Sequence, residues 1–315
     1  MTAVLITGVG GQDGALLARH LLNLGYEVIG TTRGDPAVPL SNLARLGIAD
    51  RVSVKQLDGT DRAQWRDVLD EAQPLHIYAL GAQSSVARSF VTPATSMGDA
   101  RAFALLIEET RGSDVRILNA TSGDCFGEAD ADHPITEATP FAPRSPYAIA
   151  KVAQAQLARV ARAAEGRFVA NAFLFNHESP LRPDGFVTRK IVDTARAIAA
   201  GADARLELGD VDVVRDWGWA PDYVDAMHRQ LTHREPLDLV IATGRSVPLW
   251  HFVERVFDSL GLDWHAHVDT GRFPRRPEDI RTHHADPSAA ARHLGWTASH
   301  DVDAVALAMA TGSGC

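Results

Sequence analysis

The first two dozen residues constrain the fold more than any other stretch of the chain. Residues 3–7, AVLIT, are a short apolar run with β-branched side chains, the pattern of a strand buried on both faces of a parallel sheet. GVGGQDG follows at once, spacing Gly8, Gly11 and Gly14 three residues apart, and the helical pattern ALLARHLLNLGY comes next. Strand, glycine turn and helix in this order make a dinucleotide-binding unit. The glycines let backbone approach a pyrophosphate, and the N-terminus of the helix favours its negative charge. The second strand, EVIGTTR, ends in Arg33, where an acidic side chain would bond a ribose 2′-hydroxyl. Arginine there accommodates a 2′-phosphate, so NADP is the expected cofactor; the alternative is a solvated residue at a strand end.

The same alternation runs through the first half. Strand-like AVLIT, EVIGTT, RVSVKQL, HIYAL, VRILNA and RFVANAFLF are separated by helical patterns such as RAQWRDVLDEA and ARAFALLIEETR. That predicts an α/β fold, a doubly wound parallel sheet of Rossmann-like type. After about residue 175 the pattern breaks into short segments rich in Arg, Asp, Pro and Trp. We therefore expect a nucleotide-binding domain over 1–175, with returning segments at about 211–245, and a smaller, discontinuous substrate-binding lobe mainly over 176–315. The lobe should lie at the carboxyl ends of the strands, where such sheets bind ligands.

Residues 143–151, PRSPYAIAK, carry the second informative pattern. A Tyr four positions before a Lys puts Tyr147 and Lys151 on one face of a helix. A nearby ammonium favours a phenolate, so Lys151 is expected to lower the pKa of Tyr147 and fit it to take a proton from an alcohol. Twenty residues earlier the chain reads NATSGDCFGE, placing Ser122 and Asp124 just after a strand. Read by themselves, Ser122 is a strand-end hydroxyl satisfying backbone and Asp124 a turn or helix-capping residue.

With 315 residues, 45% of them hydrophobic and 23% charged, the chain is an ordinary globular sequence with a substantial core. A net charge of −9 argues against a general nucleic-acid binder. No apolar run approaches membrane-spanning length, and Met1 leads straight into the first strand, so the cytoplasm is the expected location. The two cysteines, Cys125 and Cys315, offer no disulfide framework. Cys125 reads as inert packing at a strand end, and the GSGC tail as frayed. No metal-binding pattern is present.

Taken together, these segments resemble the extended short-chain dehydrogenase/reductases, and within them the GDP-mannose 4,6-dehydratases. TGVGGQDGALLA is similar to that family's cofactor turn, ALGAQSSVARSF to its fourth-strand segment and PRSPYAIAK to its catalytic helix. FLFNHESPLRPDGFVTRKI and LGDVDVVRDWGWAPDYVDAM are the most specific matches, and RRPED followed by DPSAAARHLGW closes the pattern. The resemblance runs from about residue 3 to residue 296. It implies cofactor contacts at Gly8, Gly11, Gln12, Asp13, Gly14, Arg33, Asp58, Leu80, Ala82, Tyr147, Lys151, His177 and Arg182. It implies that Ser84, Asn176, Lys190, Arg215, Arg276 and Glu278 surround a GDP-linked sugar. It also implies catalysis by Ser122, Asp124, Tyr147 and Lys151, and a homodimer or higher oligomer paired through the Tyr-x-x-x-Lys helices.

The implied reaction has three linked steps. Hydride leaves carbon 4 of the sugar for the nicotinamide as Tyr147 takes the hydroxyl proton. A carboxylate then removes the acidified proton on carbon 5, and water departs from carbon 6. Hydride finally returns to carbon 6. In the family a Thr, a Ser and a Glu follow the fifth strand; here Ser122, Gly123 and Asp124 stand there. A hydroxyl and a carboxylate keep their spacing, with the acid one methylene shorter. If that carboxylate fell short of carbon 5, a 4-ketoreductase or an epimerase would remain as the alternative. The resemblance departs further at Gly34-Asp35-Pro36, where the family has a second Arg and a Ser-rich loop, and at Thr95, where it has a Tyr.

Overall fold

The computed structural model describes residues 2–38, 40–271 and 278–312. Its strands are β1 Ala3–Thr7, β2 Glu27–Thr32, β3 Ser53–Gln56, β4 His76–Ala79, β5 Arg116–Ser122, β6 Val169–Leu174, β7 Asn176–Glu178, β8 Leu206–Glu207, β9 Val214–Trp219, β10 Asp238–Ile241, β11 Ser246–Pro248 and β12 Val268–Asp269. The helices are α1 Gln12–Asn23, α2 Ser41–Arg45, α3 Arg62–Ala72, α4 Val86–Val91, α5 Pro93–Glu109, α6 Pro146–Glu165, α7 Val187–Ala199, α8 Ala220–Thr232, α9 Leu249–Ser259, α10 Trp264–His267, α11 Ser288–Leu294 and α12 Val302–Thr311.

Seven strands form one sheet in the order β10-β6-β5-β4-β1-β2-β3. Every neighbouring pair in it is parallel. The apolar runs predicted as buried strands are its interior. Val4 and Ile6 face a core built with α1 and α8, while Leu5, between them, faces the opposite core of α3, α5 and α6. All three are fully buried. Burial of such a side chain is worth about 1.5–3 kcal/mol, which makes the first strand a strong anchor. The strand order reverses between β1 and β4, and the crevice at that reversal is where sheets of this type bind ligands.

Beyond residue 175 the elements are more regular than the sequence suggested. Helices α7, α8, α9 and α12 run for 10 to 13 residues each. Helix α8 and β10 return to the main sheet, whereas β9 pairs with β7 and β11 in a separate three-stranded sheet. A second core gathers there around Ile191, Trp217, Phe252 and Val305. Of the residues that broke the apparent periodicity, Arg189, Asp193 and Arg196 lie within α7, while Pro180, Pro221 and Pro248 mark turns and element ends. Sequence windows spanning those ends blur the helical period. No helix among the described residues is long and apolar enough to cross a membrane.

Candidate active site

Contacts explain the glycine turn after β1. Gly8 has φ +71°, and a Cβ there would stand 2.8 Å from the Gly81 Cα. A Cβ on Gly14 would lie 2.4 Å from the Gly8 carbonyl oxygen, so α1 packs on the turn with no room between. At Gly11 the nearest atom would be 3.4 Å away, leaving its backbone open to a cleft of about 700 Å³. No side chain caps the start of α1, which leaves its first N–H groups suited to a phosphate. Arg33 follows directly after β2 and lines the same cleft with Asp58. Asp58 accepts from the N–H and the hydroxyl of Thr60 at 2.9 and 2.8 Å. The backbone bond, foremost, holds its carboxyl below the usual range. It therefore caps a turn as well as walling the cleft.

The turn is tied to the far side of the crevice. The Gln12 amide donates to the His177 carbonyl at 3.1 Å, and the Ser179 hydroxyl donates to Gln12 at 2.8 Å. The Asp13 carboxylate meets the His177 Nε2 at 2.9 Å. Burial works to raise the Asp13 pKa, but the His177 charge and hydrogen bond, helped by Arg182, hold it well below the carboxylate range. His177 stacks on Tyr223 at 4.5 Å between ring centres, while Arg182 bonds Glu178 at 2.7 Å and the His177 carbonyl.

A second cleft of about 600 Å³ opens beside the first, and Asp13, Leu80, Ala82, Ser84, Lys151 and Arg182 line both. The two are one trough meeting at that wall. Asn176, Lys190, Arg215 and Glu278 line the second part. Lys190 donates to the Glu207 carbonyl at 2.6 Å. The Arg215 guanidinium donates to the carbonyls of Val214 and Ile280 at 2.8 and 2.5 Å and lies 3.5 Å from Asp279. Glu278 has φ +53°, a left-handed backbone uncommon for a residue with a side chain. Arg276 and Cys315 lie outside the described residues.

The groups expected to be catalytic stand beside the shared wall. Strand β5 ends at Ser122, whose Oγ accepts from the Asp124 N–H at 3.2 Å and hydrogen-bonds the Tyr147 phenol. Ser145 caps α6 by accepting from the Ala148 N–H at 3.1 Å, and Pro146 opens the helix, which fixes Tyr147 in its first turn. Ser122, Asp124 and Tyr147 all line the second cleft. Ser122 thus caps the turn after its strand and also lines the cleft.

One expectation is corrected. The Lys151 ammonium is not among the leading influences on the Tyr147 phenol. It is buried and donates to the Ala120 carbonyl at 2.7 Å and to Gln154 at 3.3 Å. Burial is the main cause of its own lowered pKa, opposed by the negative charge of Asp99. The phenol is pushed well up instead, first by burial and then by the Asp124 charge, with the Ser122 bond opposing. Helical spacing gave the shared face but not the direction of the ammonium. Cys125 is inert packing as expected, set in the tight turn directly after β5, fully buried, its thiol pushed up to about 11 by burial.

Two polar partners were missed from sequence. Gln154 stands three residues after Lys151 and seven after Tyr147, so the helical period alone points to it. Asp99, which accepts from the Gln83 N–H at 2.9 Å and faces Lys151, left no local trace. No group of three or more His, Cys, Asp or Glu side chains among the described residues is arranged to hold a metal ion.

Comparison with known proteins now settles the family. The profile of GDP-mannose 4,6 dehydratase matches residues 5–309. The chain belongs to the GDP-mannose 4,6-dehydratase family. It is 37% identical over 305 residues to GDP-mannose 4,6 dehydratase 1 of Arabidopsis thaliana, across 93% of this chain and 84% of that protein. To the GDP-mannose 4,6-dehydratase of Yersinia enterocolitica it is 35% identical over 351 residues, across 99% and 94%. Among solved structures, RMD from Pseudomonas aeruginosa complexed with NADPH matches with a TM-score of 0.81 at 22% identity, covering 99% of this chain and 98% of that one. The dTDP-glucose 4,6-dehydratase of Bacillus anthracis in complex with NAD gives 0.86 at 17%, covering 99% and 96%. Such identities show the fold, a Rossmann-like parallel sheet. The resemblance read from the sequence is therefore correct, and the GDP-mannose 4,6-dehydratase family supplies the frame for the Ser122-Gly123-Asp124 departure.

Proposed function

We propose that this member of the family converts GDP-mannose, or a closely related GDP-sugar, to its 4-keto-6-deoxy form with NADP as a recycled cofactor. The observation that carries the reading is the convergence of Ser122, Asp124 and Tyr147 beside the wall shared by the two clefts. The turn at Gly8, Gly11 and Gly14, with Gln12, Asp13, Arg33, Asp58, Leu80, Ala82, His177 and Arg182, would hold the dinucleotide. Bound there, its nicotinamide supplies a hydride acceptor for carbon 4 and a hydride donor for carbon 6. Ser84, Asn176, Lys190, Arg215, Arg276 and Glu278 would hold the GDP-sugar, with arginine suited to its diphosphate by charge-assisted, forked bonding. Tyr147 takes the 4-hydroxyl proton, with Ser122 orienting that hydroxyl. Lys151, which lines both clefts and donates to the Ala120 carbonyl, completes the catalytic set and with Tyr147 contacts the dinucleotide. Asp124 removes the carbon 5 proton and serves the departing water.

In deuterated solvent, GDP-mannose with a catalytic amount of NADP⁺ should give a 4-keto-6-deoxy sugar labelled at carbon 5, read by mass spectrometry and NMR. A requirement for equimolar NADPH would instead identify a ketoreductase.

Arg33 supports NADP over NAD through the 2′-phosphate. Arg33→Glu should weaken NADP⁺ binding by about 1.5–3 kcal/mol, the worth of hydrogen bonds to a charged group, or roughly 10- to 150-fold in Kd. NAD⁺ binding should be held or improved, as calorimetric titration of both cofactors will tell. Equal losses for both would mean that Arg33 does not read the phosphate.

Three coarser features belong to the same proposal. The dinucleotide domain comprises 1–175 with segments returning from about 211–245, of which α8 and β10 reach the main sheet while β9 stays in the separate sheet, and 176–315 forms mainly the substrate lobe. The assembly is a homodimer or larger, paired through α6: Ile149, Ala153, Gln156 and Val160 form an exposed stripe along it, and Met97 of the adjoining α5 is also exposed. A cytoplasmic setting accords with Cys125 being an unpaired thiol.

A further inference from the structure

Behind the acid–base turn lies a histidine that the sequence did not single out. His283 is 1% exposed and stacks on Phe175 with ring centres 4.5 Å apart and planes 25° from parallel. Its Nε2 lies 3.1 Å from the carbonyl oxygen of Gly123, the residue between Ser122 and Asp124. A carbonyl only accepts, so Nε2 carries the proton and donates. The Nδ1 atom is buried with no hydrogen-bond partner among the described residues. A histidine kept in so dry a place for a single hydrogen bond needs a reason.

Gly123 supplies one. A Cβ at that position would stand 2.7 Å from Phe175 Cε2 and 2.9 Å from His283 Cε1, distances at which something must shift. The stacked rings therefore occupy the space of a side chain at 123. The turn here is held through a hydrogen bond that reaches it from outside.

We infer that His283 is a positioning residue for the elimination step: it clamps the Gly123 carbonyl and so fixes the turn that carries Asp124. This rests on the assignment of Asp124 as the carbon 5 base given above. Ser122 does not need the clamp, because it still belongs to β5 and pairs in register with Leu174 of β6. Asp124 lies past the last ladder pair, and a glycine before it adds backbone freedom. The clamp itself is rigid. The Thr282 carbonyl accepts from the Ala129 N–H at 3.1 Å, and the His283 carbonyl accepts from the Ser246 hydroxyl at 2.9 Å. The His284 carbonyl accepts from the Ile135 N–H at 2.9 Å. Burial foremost, then the Arg215 charge, lowers the His283 pKa to about 3, with the Gly123 bond opposing. The ring thus stays a neutral donor through the working range.

The test separates the two chemical steps. His283→Phe keeps the stack and loses the donor; His283→Gln keeps an N–H at comparable reach. With cofactor and GDP-sugar Kd and thermal midpoint measured alongside, His283→Phe should bind both ligands normally and still oxidise carbon 4. It should form product roughly 10²-fold more slowly, the cost of about 1 Å of misplacement. Reduced nicotinamide should then build up during turnover, visible by its absorbance, where the wild type shows little. His283→Gln should restore much of kcat. Gly123→Ala, which forces the ring aside, should reproduce the Phe signature and serves if His283→Phe fails to fold. Wild-type partition in His283→Phe, or equal slowing of both steps in the Phe and Gln variants, overturns the inference. Asp124→Asn decides which premise has failed: if it still eliminates water, the base assignment is wrong, and if it stalls while His283→Phe does not, only the clamp is.

Discussion

Tyr147→Phe should bind cofactor and GDP-sugar yet lose carbon 4 oxidation by roughly 10²–10⁴-fold, the usual worth of a positioned acid–base group and about 3–5 kcal/mol of barrier. Because oxidation is the first step, every later product should fall with it. The substitution removes one oxygen from the start of a helix held by Ser145 and Pro146, so the fold should be untouched. The phenol is pushed up by burial and by Asp124, and only the Ser122 bond opposes. Its base form is therefore scarce at neutral pH and grows with pH. Single-turnover reduction of the nicotinamide should rise as pH climbs in the wild type and lose that dependence in the variant. A pH-independent wild-type rate, or an unimpaired variant, would assign the proton to another group.

The second large effect falls on the next step. Asp124→Asn should oxidise carbon 4 at a near-normal rate, while product formation and solvent deuterium at carbon 5 drop by roughly 10²–10⁴-fold. Asparagine matches aspartate in size, so the turn and its 3.2 Å bond from the Asp124 N–H to Ser122 should persist. What disappears is the negative charge that can take a carbon-bound proton. Removing it should also relieve the phenol, since Asp124 is the leading charge raising the Tyr147 pKa. The pH rise of carbon 4 oxidation should then shift to lower pH. Stopped-flow absorbance over a pH series measures both consequences in one set of traces. Normal deuterium uptake at carbon 5 in this variant would place the base elsewhere.

Much of the site was legible because its signals are local. Gly8, Gly11 and Gly14 sit between a β-branched run and an amphipathic helix, although the Gly81 backbone that crowds Gly8 comes from beyond that unit. Tyr147 and Lys151 share a helical face by arithmetic, and Gln154 could have been added by the same count. The direction of the Lys151 ammonium could not. It is set by the Ala120 carbonyl 31 positions earlier in the chain. Asp99 and His283 were illegible for the same reason. Neither belongs to a motif, and each matters only through a residue that the fold carries to it.

By itself the sequence determined the nucleotide-binding unit, the parallel α/β alternation, the Tyr147 helix and the family, because periodicity, turn chemistry and residue order are properties of neighbours along the chain. The tertiary structure alone decided the reversal of strand order between β1 and β4, the joining of two clefts at the Asp13–Lys151 wall, and the upward shift of the Tyr147 phenol. It also set His283 against Gly123 across 160 residues of chain. Such outcomes depend on which surfaces pack and which groups lose water, and neither desolvation nor long-range contact leaves a period in the sequence for a reader to find.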